Sequence, residues 1–232
     1  MKLEKERLRE VLLALKNQGA SFCFAGEEKT RRDVSMTFDD GYADNYLQAF
    51  PIFEELEVPL TLFLNTDWLD GQGTRWVDEV CSRVDDSERA REISWEGYDQ
   101  ESEKAFELLE VASDGREPML DPEARALSSS EVKLMSQSPW VRIEAHGHSH
   151  RPHRCLNESN LRKDFIQNFD QIEEITGRRP TSYAFPFGRL GDLAPSSLNI
   201  LAEMGIRSAY LAEGRNNYPW THPLLKDREV VA

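Results

Sequence analysis

Short apolar runs alternate with amphipathic stretches along most of this chain, and that alternation is the first guide to its fold. Leu8, Leu12, Leu13 and Leu15 give residues 3–17 a broad apolar helical face. "DVSMTF" (33–38) reads as a buried strand that runs directly into "DDGY". In 43–56, Tyr46, Ala49, Phe50 and Phe53 recur at helical spacing, with Pro51 marking a kink or a restart. "LTLFLNT" (60–66) is strongly β-prone, so the first sixty-odd residues predict β-α-β. Further on, "SSSEVKLM" (128–135) opens a helix with a Ser-x-x-Glu capping box, and "WVRIEAH" (140–146) is the next strand. Asn157 caps a helix whose Leu161, Phe165, Phe169, Ile172 and Ile175 share a face, ended by Gly177. "TSYAFPFG" (181–188) is a strand stopped by Pro186 and Gly188; a helix over 196–205 and a strand over 206–214 follow.

Strands that alternate with helices predict an α/β fold with a parallel sheet and right-handed crossovers. Residues 67–127 break the pattern: they are polar and acidic, with helical stretches and no clear strand. A segment of that length is too long for a structureless loop, so it reads as a mostly helical insertion or cover. The whole, 1–232, is expected to be one catalytic domain, because a chain of this length can bury one substantial core.

Charge narrows the partners. The formal net charge of −14 would repel a phosphate backbone or an anionic membrane surface, so nucleic acid is excluded as the expected ligand. The first twenty residues have their apolar positions interrupted by charges, which gives neither a signal core nor a membrane span. Cys23, Cys81 and Cys155 are odd in number and show no CxxC spacing, in keeping with a reducing compartment. A cytoplasmic protein is expected.

In parallel α/β folds reactive groups collect at the carboxyl ends of strands. Three clusters stand at such places: Asp39-Asp40 after 33–38, the histidines of "EAHGHSHRPHRC" (144–155), and Pro186-Phe187-Gly188. Two adjacent carboxylates repel and desolvate each other, and a bound cation keeps both ionised. The histidine tract admits two geometries: on a helical turn His146 and His150 share a face, and on an extended strand His146, His148 and His150 do. Either suits a divalent metal, zinc first, with cobalt or nickel as alternatives.

"TFDDGYAD" (37–44), "EAHGHSH" (144–150) and "YAFPFG" (183–188), in this order, resemble the first three motifs of the polysaccharide deacetylases, the NodB-homology family that forms carbohydrate esterase family four. The resemblance implies an irregular (β/α)7-type barrel, here carrying the helical insertion. It implies Asp40, His146 and His150 as the metal ligands and Asp39 as the general base. Tyr42, Pro186 and Phe187 would line the substrate site, with the Phe187 backbone N–H among the groups that stabilise the tetrahedral oxyanion. The implied activity is metal-dependent removal of an N-acyl group, acetyl first, from an amino sugar or saccharide in surface-glycan biosynthesis.

The chain departs from the family pattern in several places. The third-motif Arg position falls on apolar or aromatic sequence, which leaves Arg189 and Arg228 to orient Asp39. Gly147 stands where Ser or Thr is usual. The late motifs that would supply a general acid are not recognisable, and the spacing of His222 does not match them. His148 is unassigned, His153 and Cys155 read as part of the following loop, and a second zinc built from these three lacks a fourth ligand. Two other functions therefore stand beside the first: hydrolysis of a non-sugar amide or imide C–N bond, and a catalytically silent, metal-retaining carbohydrate-binding protein. Asp39, which metal binding alone does not require, favours an enzyme. The insertion is expected to shape a groove or an oligomer contact, with Trp68, Trp76 and Trp95 as stacking faces for a sugar.

Overall fold

Five parallel strands in the order of the sequence carry the fold in the computed structural model: β3 (Met36–Asp40), β4 (Leu60–Leu64), β5 (Val141–Ala145), β6 (Ser182–Ala184) and β7 (Ser208–Tyr210). The structure describes residues 5–30, 32–71, 76–99, 103–114, 116 and 125–230. Helices follow the strands: α1 (Lys5–Asn17) precedes the sheet, α2 (Phe50–Leu56) joins β3 to β4, α6 (Ser129–Ser136) leads into β5, α7 (Glu158–Thr176) joins β5 to β6, and α8 (Ser197–Glu203) joins β6 to β7. The sheet curls into a half-barrel. A second parallel pair, β1 (Ser21–Phe22) with β2 (Asp33–Val34), brings the strands among the described residues to seven.

The run 33–38 thus divides: Asp33–Val34 leaves to pair with β1, and the strand that pairs with β4 continues through Asp40, opposite Leu64. Asp39 and Asp40 close the strand rather than follow it. Residues 45–49 form a π-helical turn before Pro51 restarts the chain as α2. The predicted capping box is present, with the Ser128 side chain accepting from Glu131 N and the Glu131 carboxylate accepting from Ser128 N. Asn157 caps α7, and Gly177 ends it at φ 74°, the left-handed conformation that suits glycine. Part of the expected insertion, and residues 3–4 of the first expected helix, lie outside the described residues. Three helices lie within the insertion: α3 (Trp76–Arg83), α4 (Ser87–Asp99) and α5 (Glu103–Ser113), sharing an apolar cluster of Val80, Val84, Ala90, Ile93 and Leu109.

β4 is buried along its whole length, as a central parallel strand covered on both faces should be. Leu60, Leu62 and Leu64 join the main core with Phe165, Phe169 and Ile172 of α7, whereas Phe63 meets Ala25, Ala184 and Tyr210 in a separate cluster. The pairing Asp40–Leu64–Ala145–Tyr183 aligns the carboxyl ends of β3, β4, β5 and β6. That register brings the sequence-distant motifs to one level.

His153, read from the sequence as part of the following loop, is buried. It is 2% exposed, with Nδ1 2.9 Å from Ser197 Oγ, Nε2 2.9 Å from Tyr183 Oη, and the rings of Phe165, Tyr183 and Phe185 around it. Burial pushes its pKa down to about 3. The unfolded imidazole takes a proton near pH 6.5 and the folded one does not, so its contribution to stability is complete above about pH 6.5 and is lost as the pH falls toward 3, by up to about 5 kcal/mol. Thermal melts of metal-free protein across that window are expected to fall more steeply for the wild type than for His153→Gln; parallel curves would refute the assignment.

Candidate metal and catalytic site

The site begins with two adjacent residues whose side chains do different things. Asp40 takes a φ of 78° and Gly41 one of 91°, a left-handed turn at the mouth of the sheet. A Cβ on Gly41 would lie 2.4 Å from Leu64 Cδ1, so glycine lets this turn sit against β4. Asp40 Oδ1 lies 3.3 Å from His146 Nε2 and 3.1 Å from His150 Nε2, and the three ligand atoms lie within 4.8 Å of one another.

The histidine tract follows neither geometry that the sequence left open. Residues 146–150 form an irregular loop with Gly147 at φ 82° and His150 at φ 48°. Asp164 of α7 gathers the loop, accepting from His148 N and Ser149 N at 2.9 Å each and from Ser149 Oγ at 2.6 Å. Asn65 holds the same loop from below, donating to the carbonyls of His146 and Gly147. A Cβ at 147 would sit 3.0 Å from both Asp164 Oδ2 and Tyr183 Oη, and the φ of 82° there also suits glycine.

His146 is almost fully buried, and its Nδ1 lies 2.8 Å from Ala184 O. A carbonyl can only accept, so Nδ1 carries a proton, and in the neutral ring Nε2 presents a lone pair to Asp40. Lone pair and carboxylate oxygen at this distance repel unless positive charge stands between them. One carboxylate and two imidazoles within 4.8 Å, one ring fixed by a backbone carbonyl, are a donor set that fits a divalent cation. Among the described residues His148, His153 and Cys155 form no such group. The His148 Nδ1 lies 2.9 Å from Thr66 Oγ1 instead.

Asp39 is held apart from this cluster. Arg228 grips it bidentately, Nη1 to Oδ1 and Nη2 to Oδ2 at 2.7 Å each, and donates from Nη1 to Thr37 Oγ1 as well. The guanidinium lies over Phe63, 5.2 Å from the ring centroid, and Nε donates to Leu211 O. Burial, the largest single influence, pushes the Asp39 carboxyl up, but the Arg228 charge and hydrogen bonds, with His146 nearby, together hold the group below the usual carboxylate range. Asp39 Oδ2 is 4.0 Å from His146 Nε2, so the carboxylate borders the ligand cluster without joining it. Of the two arginines that the sequence offered, Arg228 meets Asp39, whereas Arg189 is exposed with its guanidinium 5.6 Å from the Trp95 ring.

The third motif supplies a wall. Phe187 at φ 64° and Gly188 at φ 65° make two successive left-handed residues after the buried Pro186. A Cβ on Gly188 would meet Ala212 at 2.6 Å. The Phe187 ring packs 4.8 Å from His150 and 5.2 Å from Trp95 of α4, so the insertion reaches the site. Tyr42 Oη donates to the Asp78 carboxylate of α3 at 2.8 and 2.9 Å, and its ring meets Trp68 edge-on. Trp68 is buried and Trp76 packs on the insertion's own apolar cluster, which leaves Trp95 as the sequence-flagged tryptophan beside the ligands. His222 accepts from Leu224 N at the start of the short helical turn Pro223–Leu225, a capping role.

The sequence profile of the polysaccharide deacetylases matches residues 26–209. No curated protein matches the chain in sequence. Among solved structures it is similar to the Streptococcus pyogenes deacetylase PplD in complex with acetate (14% identity over 97% of this chain and 80% of that one, TM-score 0.67). It is similar also to IcaB from Ammonifex degensii (17%, 99% and 84%, TM-score 0.65) and to the BpsB deacetylase domain from Bordetella bronchiseptica (18%, 96% and 83%, TM-score 0.66). At these identities the likeness establishes the fold.

Proposed function

The chain belongs to the polysaccharide deacetylase family, and on that premise we propose that it removes an N-acetyl group from an amino sugar of a saccharide, using a divalent metal. The observation that carries this reading is the pairing of a three-atom ligand cluster with a separate, Arg-bound carboxylate at its border. Asp40, His146 and His150 would hold the metal, with zinc preferred for a carboxylate and two imidazoles. A cation held by these three residues would supply Lewis acidity there for the amide carbonyl and for water. Asp39 takes a proton from the attacking water as its oxygen bonds to the carbonyl carbon. The Phe187 N–H donates toward the oxygen that becomes negative. Asp39 then returns the proton to the leaving nitrogen as the C–N bond breaks, giving acetate and a free amine.

Cys23, Cys81 and Cys155 are free thiols, which fits a reducing compartment, and we propose that the enzyme works in the cytoplasm on an intermediate of surface-glycan synthesis. No helix among the described residues is long and apolar enough to cross a membrane. The test is acetate release from N-acetylated sugars and their nucleotide- and lipid-linked forms, with zinc-loaded and chelator-stripped protein. Release that depends on zinc is expected; a loaded protein silent on the whole panel would reject the reading.

A further inference from the structure

A second ion pair crosses the open side of the half-barrel beside the one that holds Asp39. Lys226 Nζ lies 3.0 Å from Glu28 Oε2, two residues before Arg228 reaches Asp39, and each side chain of this outer pair is about a quarter exposed. The two cations share a floor. Lys226 lies over Tyr210, its Nζ 5.8 Å from the ring centroid, Arg228 lies over Phe63, and the two rings meet with centroids 5.6 Å apart. Glu28 is itself fixed, with both oxygens accepting from Gly26 N and one from Ser35 Oγ, on the segment that leads into β3. Asp227, between the cations, turns to the preceding loop instead and accepts from Glu213 N, Gly214 N and Arg215 Nε. That alternation is the period of an extended strand.

Residues 226–228 run beside β7 on a few backbone bonds: Lys226 N donates to Ala209 O, Leu211 N to Lys226 O and Arg228 N to Leu211 O. A slip of one residue would turn both cations away from the seam, whereas a slip of two would keep the face and change the partners. In one direction Lys226 would face Asp39 and Leu224 would face Glu28; in the other Arg228 would face Glu28 and Val230 would face Asp39. Only the observed register gives each carboxylate a cation. It alone also sets the two-pronged guanidinium, rather than an ammonium, on Asp39. We propose that Lys226 and Glu28 are positioning residues for the reaction, whose ion pair locks the register that aims Arg228 at Asp39. The pair acts through Arg228, and its role rests on the deacetylase reading above.

The test uses zinc-loaded Lys226→Met, which keeps an apolar stem over Tyr210 and removes the charge, and Glu28→Gln, which removes the charge on the other side. Each is expected to lower kcat by about 3- to 5-fold, the weight of one partly exposed ion pair, with KM and zinc content little changed. In the Arg228→Ala background neither is expected to lower kcat further, because the pair then has nothing to aim. Lys226→Arg, which keeps a cation of similar reach, is expected to retain most of the turnover. A readout that needs no turnover is the NMR signal of the Arg228 Nε–H, assigned by its loss in Arg228→Lys: its exchange with water is expected to quicken in both charge-removing variants. Exchange that stays as in the wild type, or kcat that stays in an active enzyme, overturns the proposal and leaves the deacetylase reading intact. A loss of kcat by the same factor in the Arg228→Ala background, or one that follows zinc content, also overturns it. A wild type silent on every N-acetylated sugar, whose Arg228 exchange still quickens without Lys226, overturns the activity and supports the register lock.

Discussion

Asp39→Asn is expected to lower acetate release by about 10²- to 10⁴-fold, the span of a lost general base, while zinc still binds. The expectation follows from the division of labour at the end of β3. Asp40 Oδ1 faces both imidazoles, and Asp39 points its two oxygens at Arg228. An amide at position 39 keeps the shape and cannot take a proton. It also leaves the buried Arg228 charge without its carboxylate, which costs about 3–5 kcal/mol when one partner of a buried pair is removed. Folding must therefore be separated from chemistry. The double variant Asp39→Asn/Arg228→Met is expected to recover most of the lost melting temperature and none of the lost turnover. Turnover that returns with stability, or zinc that leaves with Asp39, would show that Asp39 is structural or a ligand.

The candidate ligands were legible because each sits where a strong local pattern ends. An apolar run terminates in Asp39-Asp40, and four of the chain's five histidines follow another strand within a few residues. A resemblance to known motifs then chose among geometries that the spacing left open, and the folded loop matches neither a helical turn nor a strand because Gly147 and His150 both adopt left-handed backbone. The supporting residues carry no such signal. Asp164 and Asn168 lie on the buried face of α7, where the periodicity counts only apolar positions, although a carboxylate and an amide at core positions of an amphipathic helix are themselves a clue. Asn65 stands inside the β-prone run 60–66 and carries no signal of its own until its amide is seen bridging two carbonyls of the histidine loop. β1 and β2 are two residues each, too short for any alternation to register. His153 read as part of the loop after the candidate ligands, and only tertiary packing reveals that aromatic rings enclose it.

Arg228 was the hardest to place, since it reaches Asp39 across 189 positions of sequence from a segment without helical or strand periodicity. That segment is fixed by pairing. Lys226 bridges Tyr210 in parallel, Lys226 N donates to Ala209 O, and Arg228 N donates to Leu211 O, so 226–228 runs beside the end of β7 as a short extra strand. Its side chain then spans the open side of the half-barrel to β3. Arg228→Ala is expected to lower kcat by about 10²-fold, the cost of a reacting group misplaced by about 1 Å, with KM and zinc content little changed. Arg228→Lys should recover only part of the loss, because a single ammonium cannot hold both carboxylate oxygens in one plane. Guanidinium ion at millimolar concentration is expected to restore turnover to the Ala variant and not to the wild type. Full activity in the Ala variant would remove Arg228 from the reaction. A loss of zinc in step with activity, unmoved by guanidinium, would make the arginine a strut for the ligand cluster rather than the group that aims Asp39.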